Sequence, residues 1–143
     1  MLYILTLLDD QAYAIPATHV AEVLPLVRLP RSRSADGVAT FRYRVRLAAA
    51  IDLSWMLLGR PCEARVSTRV LVMRRQGEGE FMGLVTENVT ETLRIDDSAF
   101  QPVQRPGEPD FLGPSALVGA GWVRRIEVGA LLRLAVADRP VAA

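Results

Sequence analysis

The sequence has one cysteine, one histidine and no lysine among its 143 residues. The single thiol of Cys62 cannot form an internal disulfide bond, so the chain fits a reducing compartment. One histidine and one cysteine are too few for a His/Cys metal cluster, which needs several such ligands. We therefore predict no metal ion and no cofactor, with His19 at the surface or at a helix cap and Cys62 as an inert thiol.

Long apolar runs and an excess of charge are also lacking. The longest apolar windows, such as residues 47–51 and 130–136, are far shorter than the ~20 residues that a bilayer span needs. Residues 1–8 have no cationic flank, so they are read as a strand and not as a secretion signal. We expect a soluble cytoplasmic protein without direct membrane insertion. A net charge of +1 also disfavours a general nucleic-acid-binding surface.

Motifs of the common enzyme classes do not occur. The sequence has no G-x-S-x-G nucleophile elbow, no P-loop and no G-x-G-x-x-G fingerprint. Its carboxylates are scattered over predicted loops and strand ends, which does not support a general acid/base pair. Those considered were Glu22, Asp52, Glu87, Glu91, Asp96 and Asp97. We predict that the protein is not an enzyme, and we assign no catalytic residue.

Short strands separated by turn signals occupy most of the chain. Residues 2–8 and 12–15 flank a polar turn and predict one hairpin, and residues 67–73 and 81–85 predict another. Residues 19–23 are expected to form a helical turn with Thr18 as its N-cap, and residues 131–136 a short terminal helix. About nine or ten strands with little helix indicate a mainly β protein built as small barrels or a sandwich.

Apolar and charged residues alternate without interruption over residues 41–47. This pattern predicts one half-buried strand, with Phe41, Tyr43, Val45 and Leu47 facing the core. The opposite face would carry a row of guanidinium groups, from Arg42, Arg44 and Arg46.

Two interpretations of this arginine row remain open. It is either a solvated strand face or a docking surface for an acidic partner, with further arginines nearby at Arg28, Arg31 and Arg33. An RNA- or DNA-binding small barrel that uses the row is a weaker alternative. Nucleic-acid recognition of this kind needs exposed aromatic rings beside the arginines, and Phe41 and Tyr43 are predicted to face away.

Four stretches, taken in their order along the chain, resemble one known family. Residues 8–27 contain an acidic turn, Tyr-x-Ile-Pro and Val-x-Glu-Val, and residues 41–61 contain Ile-Asp-Leu. Residues 83–95 read GLVTENVTETLRI, and residues 126–132 read IEVGALL. Together they resemble the CheW-like domain, the coupling module of bacterial chemosensory arrays. Within the family, their sequences resemble the surface-sensing (Wsp-like) branch, whose pathway ends in a diguanylate cyclase.

The resemblance implies both a fold and a function. The implied fold is a single CheW-like domain over residues 1–143, with two five-stranded SH3-like barrels packed over a shared apolar core and few short helices. The implied function is that of a non-catalytic scaffold. Such a scaffold couples the cytoplasmic tip of a methyl-accepting chemoreceptor to the regulatory domain of a CheA-type histidine kinase. Other CheW-like domains would join it in an array held at the inner membrane by the receptor.

The resemblance also assigns residues to two surfaces. Receptor binding is carried over to Val20, Glu22, Arg42 and Arg44. Kinase binding is carried over to a run of three residues on the strand over 67–73, namely Val70, Leu71 and Val72.

The segment around Arg44 departs from the family pattern at four positions. Ala39 and Val45 stand where the family has Gly. Arg42 replaces the family's Asn, and Ala49 replaces its Pro. These changes suggest a longer and straighter strand pair. They leave two possibilities: a changed receptor partner, or a degenerate paralogue that has lost one docking surface.

Overall fold

Eleven strands and two short helices make up the described part of the chain. The computed structural model describes residues 1–26, 38–44, 46–75, 80–103 and 105–137. No helix within these ranges has the length and hydropathy to cross a bilayer. The elements are β1 (Leu2–Leu8), β2 (Gln11–Pro16), β3 (Val20–Pro25), β4 (Val38–Tyr43), β5 (Arg46–Asp52), α1 (Leu53–Leu58), β6 (Arg69–Arg74), β7 (Phe81–Thr86), β8 (Val89–Arg94), β9 (Phe100–Gln101), β10 (Leu112–Val118), β11 (Gly121–Ile126) and α2 (Val128–Ala137).

The strands form two sheets, and the chain passes from the first sheet to the second and back again. One sheet has six strands in the order β8-β1-β2-β11-β10-β9, and the other has five in the order β3-β6-β7-β5-β4. The N-terminal hairpin therefore belongs with the C-terminal strands, because β2 pairs in parallel with β11. The prediction of a mainly β protein with two subdomains and few helices is confirmed. The larger sheet has six strands where five were predicted, because the two-residue strand β9 adds a short edge.

Three apolar clusters hold the sheets together. The largest lies between the two sheets and includes Ile4, Leu71 and Phe111, so it is the shared core that was predicted. Each subdomain also has a smaller cluster of its own, around Val70 in the five-stranded sheet and around Leu5 in the six-stranded sheet. Neighbouring residues of one strand thus face different clusters. This explains why β1 and β6 read as continuous apolar runs and not as an alternating pattern.

The helical segments differ from the prediction at both places. The turn expected over residues 19–23 is a 3₁₀ turn at Ala17–His19, and no side chain caps it. Residues 20–23 are extended instead, because β3 pairs with the buried strand β6 and this pairing outweighs the local capping signal. The terminal helix begins at Val128, earlier than predicted, because Val128 and Leu131 both pack in the shared core.

The prediction of a single strand over residues 41–47 is wrong. The segment is the tip of a hairpin, in which Tyr43 of β4 pairs with Arg46 of β5 and Arg44 has φ +57°. Across a two-residue connection, the positions that face the core change from odd-numbered to even-numbered residues. Ala48 therefore packs beside Phe41, whereas Leu47, predicted to face the core, is 72% exposed. Val45, also predicted to face the core, lies outside the described residues.

Candidate functional site

The tip of the β4–β5 hairpin presents an arginine that has no acidic partner in the part of the chain that the structure describes. Arg44 is exposed, and its guanidinium carbon lies 5.3 Å from the ring centroid of Tyr43 and 5.7 Å from that of Phe81. Both distances are within the range of cation–π attraction. The positive charge therefore lies at the surface over aromatic rings, and no salt bridge joins it to a carboxylate of the described residues.

The two rings beneath Arg44 come from distant parts of the sequence. Tyr43 ends β4 and Phe81 begins β7, and their centroids are 5.0 Å apart with an interplanar angle of 65°. This edge-to-face geometry is a favourable arrangement for aromatic pairs. Phe41 continues the row, since its centroid lies 6.3 Å from that of Tyr43. Gly83 leaves room for the Phe41 ring, because a Cβ at this position would lie 2.7 Å from Phe41 Cε1.

A hydrogen bond brings the two edge strands of the five-stranded sheet together at this site. The hydroxyl of Tyr43, on β4, donates to Glu22 Oε1, on β3, over 3.3 Å. Since β3 and β4 lie at opposite ends of the strand order, this contact shows that the sheet curls back on itself. Folding therefore brings Glu22 and Arg44 to the same ring, that of Tyr43, although 21 residues separate Glu22 from Tyr43 in sequence.

Val20 lies further along β3 and has a different environment from Glu22. Its half-buried side chain packs against the shared core, and its carbonyl oxygen accepts a hydrogen bond from Arg74 over 2.9 Å. The pairing of β3 with β6 shifts register between Val20 and Glu22. Such an irregularity re-aims side chains, which allows Val20 to face the core while Glu22 is exposed.

Arg42 is exposed on β4, at the position paired with Leu47 of β5. The predicted row of three arginines along one strand is not present, because the chain turns at Arg44 and Arg46 begins the next strand. The nucleic-acid alternative relied on that continuous row. Arg28, Arg31 and Arg33 lie outside the described residues.

Comparison with known proteins identifies the family of the chain. A family model described as the CheW-like domain matches residues 2–135. The chain belongs to the CheW-like domain family. This confirms the predicted family, while the narrower Wsp-like branch stays a prediction.

A solved structure agrees with the fold. The crystal structure of scaffolding protein TtCheW from Thermoanaerobacter tengcongensis is similar with a TM-score of 0.75, over 87% of this chain and 82% of that chain. The two sequences are 18% identical, so the similarity concerns the fold, with its two SH3-like β subdomains. Comparison with curated protein sequences gives no match.

The residues assigned to kinase binding lie inside this CheW-like domain. Val70 and Val72 are 3% and 0% exposed in the core of the five-stranded sheet, and Leu71 is 0% exposed in the shared core. Their strand, β6, is paired on both sides, by β3 and by β7. Their side chains contact the interior, and β3 is the neighbouring strand with exposed residues.

A buried carboxylate, that of Glu87, joins segments that are distant in sequence. Glu87 accepts hydrogen bonds from Ser54 Oγ at 2.8 Å, from the backbone N–H of Glu63 at 3.1 Å and from Arg60 at 3.1 Å. Arg60 also pairs with Asp9, at 2.6 Å, in the turn between β1 and β2. Burial alone raises the pKa of Glu87, but these hydrogen bonds outweigh it, so the pKa lies below its usual value. An ionised carboxylate with three donors acts here as a structural tie between segments.

Within the described ranges, the polar residues His19, Asp52 and Glu22 of the CheW-like domain have different environments. His19 is exposed in the 3₁₀ turn, as predicted, and Asp52 is buried, where it accepts hydrogen bonds from the backbone N–H groups of Trp55 and Cys62. Glu22 lies at the surface near the hairpin tip. No group of three or more potential metal ligands occurs in the portion that the structure describes.

Sequence reasoning missed two residues of the site, Tyr43 and Phe81. Phe81 was read only as the start of a hairpin strand, yet its ring lies under Arg44. Phe81 and Arg44 meet because β7 pairs in parallel with β5, and a parallel pairing between distant segments leaves no signal in a single sequence. The burial of Tyr43 was predicted correctly from the alternating pattern. The prediction that Tyr43 faces away from the arginines is wrong, because its ring lies under Arg44 at the turn.

Proposed function

We propose that this CheW-like domain is a non-catalytic chemosensory scaffold that couples the cytoplasmic tip of a methyl-accepting chemoreceptor to the regulatory domain of a CheA-type histidine kinase. Family membership supports the general role of a chemotaxis coupling scaffold. The proposed location is the cytoplasm, in an array that the receptor holds at the inner membrane, where other CheW-like domains are further partners.

The observation that carries the receptor-binding proposal is the exposed guanidinium of Arg44 at the hairpin tip. It lies over two rings and forms no salt bridge with a described carboxylate, so it is available to an acidic partner. Glu22 is exposed and accepts a hydrogen bond from Tyr43, and Arg42 is exposed on β4, so the proposal includes both in the receptor-binding surface. Val20 packs against the shared core, so in this proposal it positions β3, the strand that carries Glu22.

The proposed kinase contact involves β6 and the strand beside it, β3. Val70, Leu71 and Val72 are buried, so in this proposal they hold the sheet on which the contact depends, and a partner does not touch their side chains. The exposed strand beside them, β3, offers Val23, which is 44% exposed. A scaffold of this type needs two contacts on one rigid body so that it can bind both partners at a fixed geometry.

Replacing Arg44 by Glu is expected to weaken receptor binding while the fold stays intact. The substitution reverses an exposed charge, and loss of a hydrogen-bonded interfacial charge pair costs about 2–5 kcal/mol, or roughly a 30-fold or larger rise in Kd. Isothermal titration calorimetry with a receptor-tip fragment measures the change.

The matched control is Arg94→Glu. Arg94 is an exposed arginine on β8 in the other sheet, and the same reversal there is expected to leave receptor binding unchanged. Equal affinity of Arg44→Glu and the unaltered protein would contradict the receptor assignment. Binding to the kinase regulatory domain is measured separately. Binding of the unaltered protein to only one of the two partners would indicate a degenerate paralogue.

A further inference from the structure

The rings under Arg44 do more than fill the space below the hairpin tip. An exposed arginine usually samples many rotamers, and a partner that binds it has to immobilise it. In this domain the guanidinium is already attracted to Tyr43 and Phe81, at 5.3 and 5.7 Å from their centroids. Less conformational entropy is then lost when the arginine binds a partner.

The rings themselves are held in place. Tyr43 is 7% exposed, and its hydroxyl is bound to Glu22, which fixes the ring between β3 and β4. Phe81 is half-buried and meets Tyr43 edge-on at 5.0 Å. Both rings pack in the apolar cluster of the five-stranded sheet, and this packing restricts their movement beneath Arg44.

An arginine that lies over rings keeps its N–H groups free for other partners, because cation–π attraction does not use them as hydrogen-bond donors. A carboxylate is the group that matches the planar fork of a guanidinium with two parallel hydrogen bonds. We propose that Tyr43 and Phe81 are positioning residues that hold Arg44 as a preformed site for a carboxylate of the partner, an inference that rests on the proposed receptor-binding function.

The test is a double-mutant cycle between Phe81 and Arg44, with the receptor-tip fragment as the titrant. Phe81→Leu removes one ring and is expected to raise Kd about two- to fivefold in the unaltered background. In an Arg44→Ala background the same change is expected to have no effect, since there is no guanidinium to position. Phe81→Tyr keeps a ring and is expected to restore the original affinity.

The matched control uses the other arginine that lies over a ring. The guanidinium carbon of Arg125 is 4.9 Å from the ring centroid of Phe100, in the six-stranded sheet, and Phe100 is half-buried like Phe81. Phe100→Leu is expected to leave the Kd for the receptor tip unchanged. Melting temperatures of all variants show that each is folded at the temperature of the titration.

The outcomes separate the inference from the function on which it rests. If Arg44→Ala weakens binding and Phe81→Leu does not, the positioning role is overturned and the receptor function stands. An equal loss from Phe81→Leu in both backgrounds also overturns the positioning role, because the ring then acts without Arg44. If the unaltered protein does not bind the receptor tip, both are overturned.

Discussion

Val70→Arg is expected to unfold the domain, while Val66→Arg leaves it folded. Val70 is 3% exposed and packs in the cluster that contains Phe41, Tyr43 and Val85. A guanidinium placed there loses its hydration and finds no carboxylate in the cluster. An unpaired buried charge costs several kilocalories per mole, which is comparable with the ~5–15 kcal/mol total stability of a typical domain.

Val66 is the matched control because it is the same residue type at a 93% exposed position four residues earlier. Thermal melts followed by circular dichroism compare the two variants, and loss of kinase binding by Val70→Arg is expected only together with loss of the fold. A folded Val70→Arg variant with an unchanged melting temperature would contradict the burial of β6. If such a variant also failed to bind the kinase regulatory domain, Val70 would be a surface residue of the kinase contact.

Glu87→Ala is expected to lower the free energy of unfolding by about 3 kcal/mol, equivalent to a melting temperature about 10 °C lower. The substitution leaves the Ser54 hydroxyl, the N–H of Glu63 and the Arg60 guanidinium without their shared acceptor. Arg60 retains Asp9, and it is partly exposed, which keeps the expected loss near the lower end for a broken buried pair.

The control for this variant is Glu91→Ala, which removes an exposed carboxylate on β8 and is expected to change the melting temperature little. Urea unfolding measures the free energy directly. Equal stabilities of the two variants would show that the three hydrogen bonds to Glu87 contribute nothing net to folding.

The stability of the unaltered protein is expected to fall in acid, and Glu87→Ala is expected to reduce this dependence. A carboxylate whose pKa is lower in the folded than in the unfolded chain stabilises the fold above its unfolded pKa. That contribution is lost as the pH drops below about 5 and through the lowered folded pKa. Glu108 acts in the same direction, because hydrogen bonds from Arg124 lower its pKa, so some acid sensitivity is expected to remain in the variant. Urea melts between pH 7 and pH 3 provide the comparison, and identical pH profiles would contradict the role of Glu87.

The alternating pattern over residues 41–47 shows how far local sequence reasoning reaches. It placed Phe41 and Tyr43 in the core correctly, since period two identifies a strand face. It did not predict the turn at Arg44, because each strand of a hairpin with a two-residue connection also alternates with a period of two. The hydrophobicity pattern alone does not distinguish a straight strand from a hairpin whose register changes parity.

The buried run Val70–Val72 illustrates a different limit. The resemblance to the family placed these residues on a binding surface, while the apolar sequence of β6 is equally typical of a strand buried on both faces. Only the pairing of β6 between β3 and β7, with a separate apolar cluster on each face, distinguishes the two.

By itself, the sequence determined the mainly β class, the family and the apolar content of the core, because strand periodicity, turn residues and short motifs are local properties of the chain. Only the tertiary structure decided that Tyr43 and Phe81 lie together with Glu22 and Arg44. These residues come from three strands and a turn, and they meet because the sheet curls until its edges touch. That closure depends on packing between residues far apart in sequence, and a single sequence records no trace of which distant residues pair.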